Sequence, residues 1–129
     1  MAEGLAREFG KGMFDPCSAG LIAAGVHPRA VEVMRELGID ISNQKSKEID
    51  QDLVRKMDIV VTLCAGAEEA CPGTPPGVQR LHWPVKDPVG ARGSREDILK
   101  EFRRARDEIK GKIDELAKAI RLRQQTATG

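Results

Sequence analysis

Five consecutive residues constrain this chain more than any others: Ile59-Val60-Val61-Thr62-Leu63 is apolar and largely β-branched, with no polar alternation. A strand with one wet face alternates in polarity. An unbroken run of this length therefore predicts a strand buried on both faces, as in a parallel sheet sandwiched by helices.

The surroundings supply the helices. Met1 to Phe9 has helical composition (Ala2, Glu3, Leu5, Ala6, Arg7, Glu8), with no capping residue before it. Pro28 stands where a first-turn proline is tolerated, and Val31, Met34 and Leu37 follow at helical spacing before Gly38, which predicts a helix over His27 to Leu37. His27 reads as an aid to that helix start rather than a proton carrier. A short helix is expected from Asp50 to Met57. Phe14 to Ser18 reads as a short strand, with Pro16 restricting it to a sheet edge or strand start, and Arg80 to Trp83 as a later one. Ser94-x-x-Asp97 resembles a capping box, and Ile98, Phe102, Ala105, Ile109, Ile113, Leu116 and Ile120 trace one apolar stripe through a long terminal helix. The polar tail after Arg123 is expected to fray. Alternating helices and strands without repeats or a linker predict one α/β domain over residues 1–129, an open parallel sheet of three layers with helices on both faces. In such folds ligands bind beyond the carboxyl ends of strands. Cys64 stands at such an end.

Composition narrows the function classes. The 129 residues carry a formal charge of +1, yet 32% are charged, with both signs interspersed. Nothing in that balance calls for nucleic acid. Arg103, Arg104, Arg106 and Lys110 alternate with Glu101, Asp107 and Glu108, which reads as a solvated helix face. No apolar run approaches the roughly 20 residues that span a bilayer, and the first residues lack a leader pattern, so a cytoplasmic protein without membrane contact is expected. Three cysteines, two histidines and no C-x-x-C make a structural zinc site improbable and fit a reducing compartment.

Cys64 and Cys71 suggest redox chemistry. A single cysteine at a strand end most often simply packs. If residues 65 to 71 were helical, seven residues at 1.5 Å each would hold the two α-carbons about 10 Å apart, whereas a disulfide needs roughly 4.4 to 6.8 Å. Such a bond requires local unfolding. Gly66 and Pro72 bracket a segment able to loop out, because glycine relaxes the backbone and proline stops a helix past Cys71. A conditional, easily reduced disulfide is mechanically reasonable.

Several runs carry a more specific resemblance: Met1-Ala2-Glu3-Gly4, Ser18-Ala19-Gly20, His27-Pro28 with Ala30-Val31, Gly38-Ile39-Asp40-Ile41-Ser42-Asn43-Gln44, Val60-Val61-Thr62-Leu63-Cys64, Cys71-Pro72, and His82-Trp83 with Asp87-Pro88. Together, in this order, they resemble the thioredoxin-coupled arsenate reductases, which share the low-molecular-weight protein tyrosine phosphatase fold. The resemblance implies a relay of three cysteines. A nucleophilic cysteine in an anion-binding loop attacks arsenate, a second attacks the adduct and releases arsenite, and a third closes the final disulfide, which thioredoxin reduces. Cys64 matches the second and Cys71 the third. Asp87 matches the general acid; without the resemblance it reads as a turn residue before Pro88. Glu3 and Ser18 match positions that help bind a potassium ion in some members, while Lys47 stands at a further position of that site that is acidic in those members. His82 and Trp83 are expected near the strand end beside Asp87. The expected partners are arsenate or a phosphate-like oxyanion and thioredoxin, with no tightly bound cofactor and a monomeric full-length form.

The resemblance also implies a departure. The family begins with a central buried strand and a loop of pattern Cys, five residues, Arg, Ser, placed before the Met-Ala-Glu-Gly helix. The expectation is a fold whose first strand and nucleophile loop are missing. Cys17 does not replace the nucleophile, because position 23 is Ala23 rather than Arg, and it is expected to be a core or edge residue. Losing about five buried strand side chains at about 1.5 to 3 kcal/mol each rivals the roughly 5 to 15 kcal/mol that stabilises a domain. A marginal fold without family-like activity is expected. Two other functions fit the residues: a phosphatase of the same fold, although the chain has no tyrosine to place beside the acid, and a non-catalytic thiol switch built on Cys64 and Cys71.

Overall fold

A computed structural model describes residues 1–10, 12–17, 27–44, 51–63, 73, 76–86 and 88–128. In chain order the elements are α1 (Ala2–Phe9), α2 (Pro28–Arg35), α3 (Gln51–Arg55), β1 (Ile59–Thr62), β2 (Gln79–His82), a 3-10 turn (Pro88–Gly90) and α4 (Arg95–Thr128). Helices combined with a parallel strand pair make this an α/β protein, as the unalternated strand run predicts.

The bounds of α2 and the start of α4 have identifiable causes. His27 is extended (φ −66°, ψ 133°) and its Nδ1 accepts the Arg29 amide proton at 3.1 Å, with Pro28 in the first turn. The helix ends where Gly38 turns to φ +76°, a left-handed conformation that suits glycine. There the Ile39 amide returns to the Met34 carbonyl at 3.1 Å. At the head of α4 the capping box closes reciprocally: the Ser94 amide donates to Asp97 Oδ2 at 3.1 Å and the Asp97 amide to Ser94 Oγ at 3.2 Å. The expected fraying after Arg123 does not occur in the backbone, which stays helical through Thr128. No glycine or proline interrupts the segment before Gly129, and glutamine and alanine tolerate helix well. Among the described residues no helix is long and apolar enough to cross a membrane.

The core lies between helices. Leu5 of α1, Val33 and Met34 of α2, Ile41 beyond it and Phe102 of α4 are essentially without solvent exposure. Leu99, Ala105, Ile109, Ile113 and Ala117 extend the buried face of α4. Leu63, Trp83 and Val85, at the carboxyl ends of the strands, pack half-buried against this cluster. The apolar stripe of α4 is thus the spine on which the other elements rest.

β1 and β2 run parallel, with Ile59 opposite Gln79 and Thr62 opposite His82. The ladder continues past them: the Trp83 amide reaches the Thr62 carbonyl at 2.8 Å and the Val85 amide the Leu63 carbonyl at 3.1 Å. β1 departs from the sequence expectation. Ile59, Val60 and Val61 are half-buried, and within β1 only Thr62 is buried. Among the described residues β1 has one partner strand, and α1, α2 and α4 direct their apolar faces mainly at one another.

Three further expectations are corrected. Phe14 to Cys17 is not a strand, and Ser18 lies outside the described residues. The chain instead folds back after α1, with the Phe14 amide bonded to the Gly10 carbonyl at 3.0 Å and the Pro16 carbonyl accepting from the Arg7 guanidinium at 3.0 Å. Cys17 is consequently exposed rather than a core residue. Nor is the basic row of α4 simply solvated. Arg106 is 8% exposed and donates to the Val33 carbonyl and to Glu36, both at 2.8 Å. Arg103 grips the same Glu36 carboxylate through Nε and Nη2, and Arg95 pairs with Glu32. A planar guanidinium fork can hold a carboxylate and a helix-end carbonyl at once, and that fixes α4 against α2.

Candidate functional site

The carboxyl ends of the two parallel strands bring the polar side chains of Thr62 and His82 together. The final residue of β1, Thr62, is 4% exposed in an otherwise apolar strand. Register sets it opposite His82, and its Oγ1 lies 2.8 Å from His82 Nδ1 and 3.5 Å from the Leu81 carbonyl. His82 itself is exposed, and Trp83 beyond it turns onto the core. The chain after β2 is fixed from α4, where Arg104 donates to the Lys86 carbonyl at 3.1 Å. The 3-10 turn then closes through the Ala91 amide on the Pro88 carbonyl at 3.0 Å.

Of the residues assigned from the sequence, Cys64, Cys71, Asp87 and Ser18 lie outside the described residues, as does Lys47. Their described neighbours are instructive. Leu63, which precedes Cys64, and Val85, two residues before Asp87, are joined by the last rung of the ladder. Glu3 is on α1, its carboxylate accepting from Arg7 at 3.4 Å. It borders a cleft of about 450 Å³ lined also by Glu8, Asp40, Asn43 and Gln44. Asp40 is turned inward on its own loop: it accepts from the Ser42 hydroxyl and amide, which hold its carboxyl below the usual range. Among the described residues no three metal-ligating side chains converge, and a guanidinium faces Glu3.

The Thr62–His82 pair was not assigned from the sequence. A polar residue closing an apolar run, with a histidine on the next strand, was the available signal. It needed the register to be read.

With this geometry in view, comparison with known proteins gives a consistent result. Residues 1–126 match the low molecular weight phosphotyrosine protein phosphatase family, and the chain belongs to it. Within that family it is similar to arsenate reductases: the arsenate reductase of Halalkalibacterium halodurans is 48% identical over 117 residues, covering 91% of this chain and 84% of that protein. Among solved structures, an arsenate reductase in the phosphate binding state superimposes with a TM-score of 0.73 at 33% identity. One in the oxidized state does so at 0.72 and 31%. Each of the two alignments covers 92% of this chain and 86% of the other.

Proposed function

We propose that this chain belongs to an arsenate reductase whose second and third thiols are Cys64 and Cys71. The observation that carries the reading is the near-half identity with an arsenate reductase over most of the chain, through the segment that holds both cysteines. The position of Leu63 at the carboxyl end of a parallel strand supports it, since Cys64 follows directly.

Reduction of arsenate to arsenite takes two electrons. In the proposed relay the Cys64 thiolate attacks the sulfur of a thiol–arsenate adduct, the sulfur–arsenic bond breaks with its electron pair on arsenic, and arsenite leaves. Cys71 then attacks the Cys64 sulfur, releases the first thiol and forms the Cys64–Cys71 disulfide. A thioredoxin-type dithiol reduces that bond in the cytoplasm, and Asp87 supplies the proton to departing oxygen. The first thiol of the family belongs to a Cys-x5-Arg loop. Six positions after Cys17, Cys64 and Cys71 stand Ala23, Ala70 and Gly77, so these 129 residues contain no such sequence.

The 129-residue polypeptide is therefore expected to give no arsenate-dependent consumption of reduced thioredoxin above background. Mild oxidation should still join Cys64 to Cys71, and thioredoxin should reopen the bond; Cys71→Ser should abolish it. Brisk turnover by this polypeptide would overturn the need for the loop. Failure of the two sulfurs to pair would overturn the relay.

A further inference from the structure

Arg104 ties α4 to a different part of the chain from Arg95, Arg103 and Arg106, which all reach α2 or the residue that ends it. Glu101, one turn before it, accepts from its Nε and Glu108, one turn after, from its Nη1, both at 3.0 Å. Two carboxylates on one helix face thereby fix the plane of the guanidinium, whose donors keep a rigid fork geometry. The other nitrogen, Nη2, is aimed off the helix and donates to the Lys86 carbonyl at 3.1 Å, 18 positions earlier in the chain.

Lys86 ends a short strap. From Trp83 onward the chain alternates: Trp83 and Val85 lie half-buried against the helical cluster, while Pro84 and Lys86 are exposed. The Trp83 and Val85 amides tie the strap to the end of β1, and the Lys86 carbonyl ties it to α4. We propose that Arg104 is a salt-sensitive latch: braced by Glu101 and Glu108, it keeps the strap Trp83–Lys86 shut over the helical cluster, and when screening loosens the braces the strap opens as a local unit and carries the Trp83 indole into water. Arg104, Glu101 and Glu108 are 35%, 39% and 42% exposed, and ion pairs at such sites are weak. The screening length falls from about 30 Å at 0.01 M salt to about 3 Å at 1 M, the length of the contacts themselves, whereas a buried pair is screened much less. A segment with few buried apolar contacts opens before the core does. The latch is independent of the proposed cysteine relay.

Trp83 is the single tryptophan of a chain without tyrosine, so its fluorescence reports on the strap alone. Acrylamide, an uncharged quencher, is titrated into the 129-residue chain at about 0.01 M and about 1 M sodium chloride, with hydrogen exchange followed in parallel. Raising the salt is expected to increase the quenching constant of Trp83 about twofold and to speed exchange at the Val85 amide, while the amides around Phe102 and Ile109 stay protected. Arg104→Gln, and Glu101→Gln combined with Glu108→Gln, should show the open value already at low salt and change little as salt rises. An arginine with a merely structural role would lower the melting temperature when replaced, without giving the strap this salt dependence. Should circular dichroism show that Arg104→Gln fails to fold, the wild type and the double carboxylate variant still decide. Quenching of Trp83 that is independent of salt in the wild type, variants that match the wild type at low salt, or opening of α4 together with the strap would each overturn the latch.

Discussion

Single residues show where this fold has no slack. Gly4 lies inside α1, where alanine would ordinarily gain about 1 kcal/mol of helix propensity. A Cβ there would stand 2.6 Å from Ile41 Cγ2 and 3.3 Å from Met34 Cε, both fully buried. Overpacking of that kind costs about 1–3 kcal/mol, so Gly4→Ala should lower stability despite the better helix former, by about 1 kcal/mol in urea unfolding. His27 combines two roles, a cap acceptor for Arg29 and a ring 4.9 Å from that of Phe102. Replacing it by alanine should cost about 1 kcal/mol from the cap alone, and His27→Asn should recover most of that by supplying a side-chain oxygen acceptor in place of the ring nitrogen.

At the level of elements, the junction of α2 with α4 depends on charge. The Arg103 guanidinium, with Arg106 beside it, holds the Glu36 carboxyl below the usual carboxylate range. Arg29 and Arg95 do the same for Glu32, and the Ser94 amide and hydroxyl for Asp97. A carboxyl whose folded value is depressed adds stability that is complete above its unfolded value and is lost as pH falls through the folded one. The thermal midpoint should therefore fall as pH drops below about 4.5, and Glu36→Gln should flatten part of that decline while lowering the midpoint at pH 7. Separately, Ser94→Ala should cost about 1 kcal/mol by opening the capping box, measured at neutral pH by denaturant titration. These elements were legible in the sequence to very different degrees. The stripe of α4 and the Ser94–Asp97 box could be read directly, because helical spacing and capping are local. The packing of Arg106 could not, since its partners Val33 and Glu36 are seventy or more positions away. Phe14 to Cys17 misled for a similar reason: apolar and extended-looking residues become a strand only when a neighbour offers a ladder, and here a turn on Gly10 and a bond to Arg7 intervened. The cysteine pair stands out by its place after an apolar run, and the roles expected of it and of Asp87 come from family likeness, whereas Thr62 with His82 required knowing which residues of two strands lie opposite.

For the whole molecule, stability is unevenly distributed. The tight cluster of Leu5, Met34, Ile41 and Phe102 belongs to helices and the segment after α2, while three of the four residues in β1 remain half-buried. Regions with fewer buried apolar contacts open at lower free energy. Native-state hydrogen exchange should accordingly show the amides of β1 and β2 exchanging well before those of α4 around Phe102 and Ile109. Protection of the strands equal to that of α4 would contradict this picture. Phe102→Ala, at about 3–5 kcal/mol, should collapse the difference by weakening the helical cluster itself. The bond from Val85 to Leu63 has a wider mechanical meaning. It yokes the backbone at the end of β1 to the backbone that follows β2, so a pull on either stretch is felt by the other.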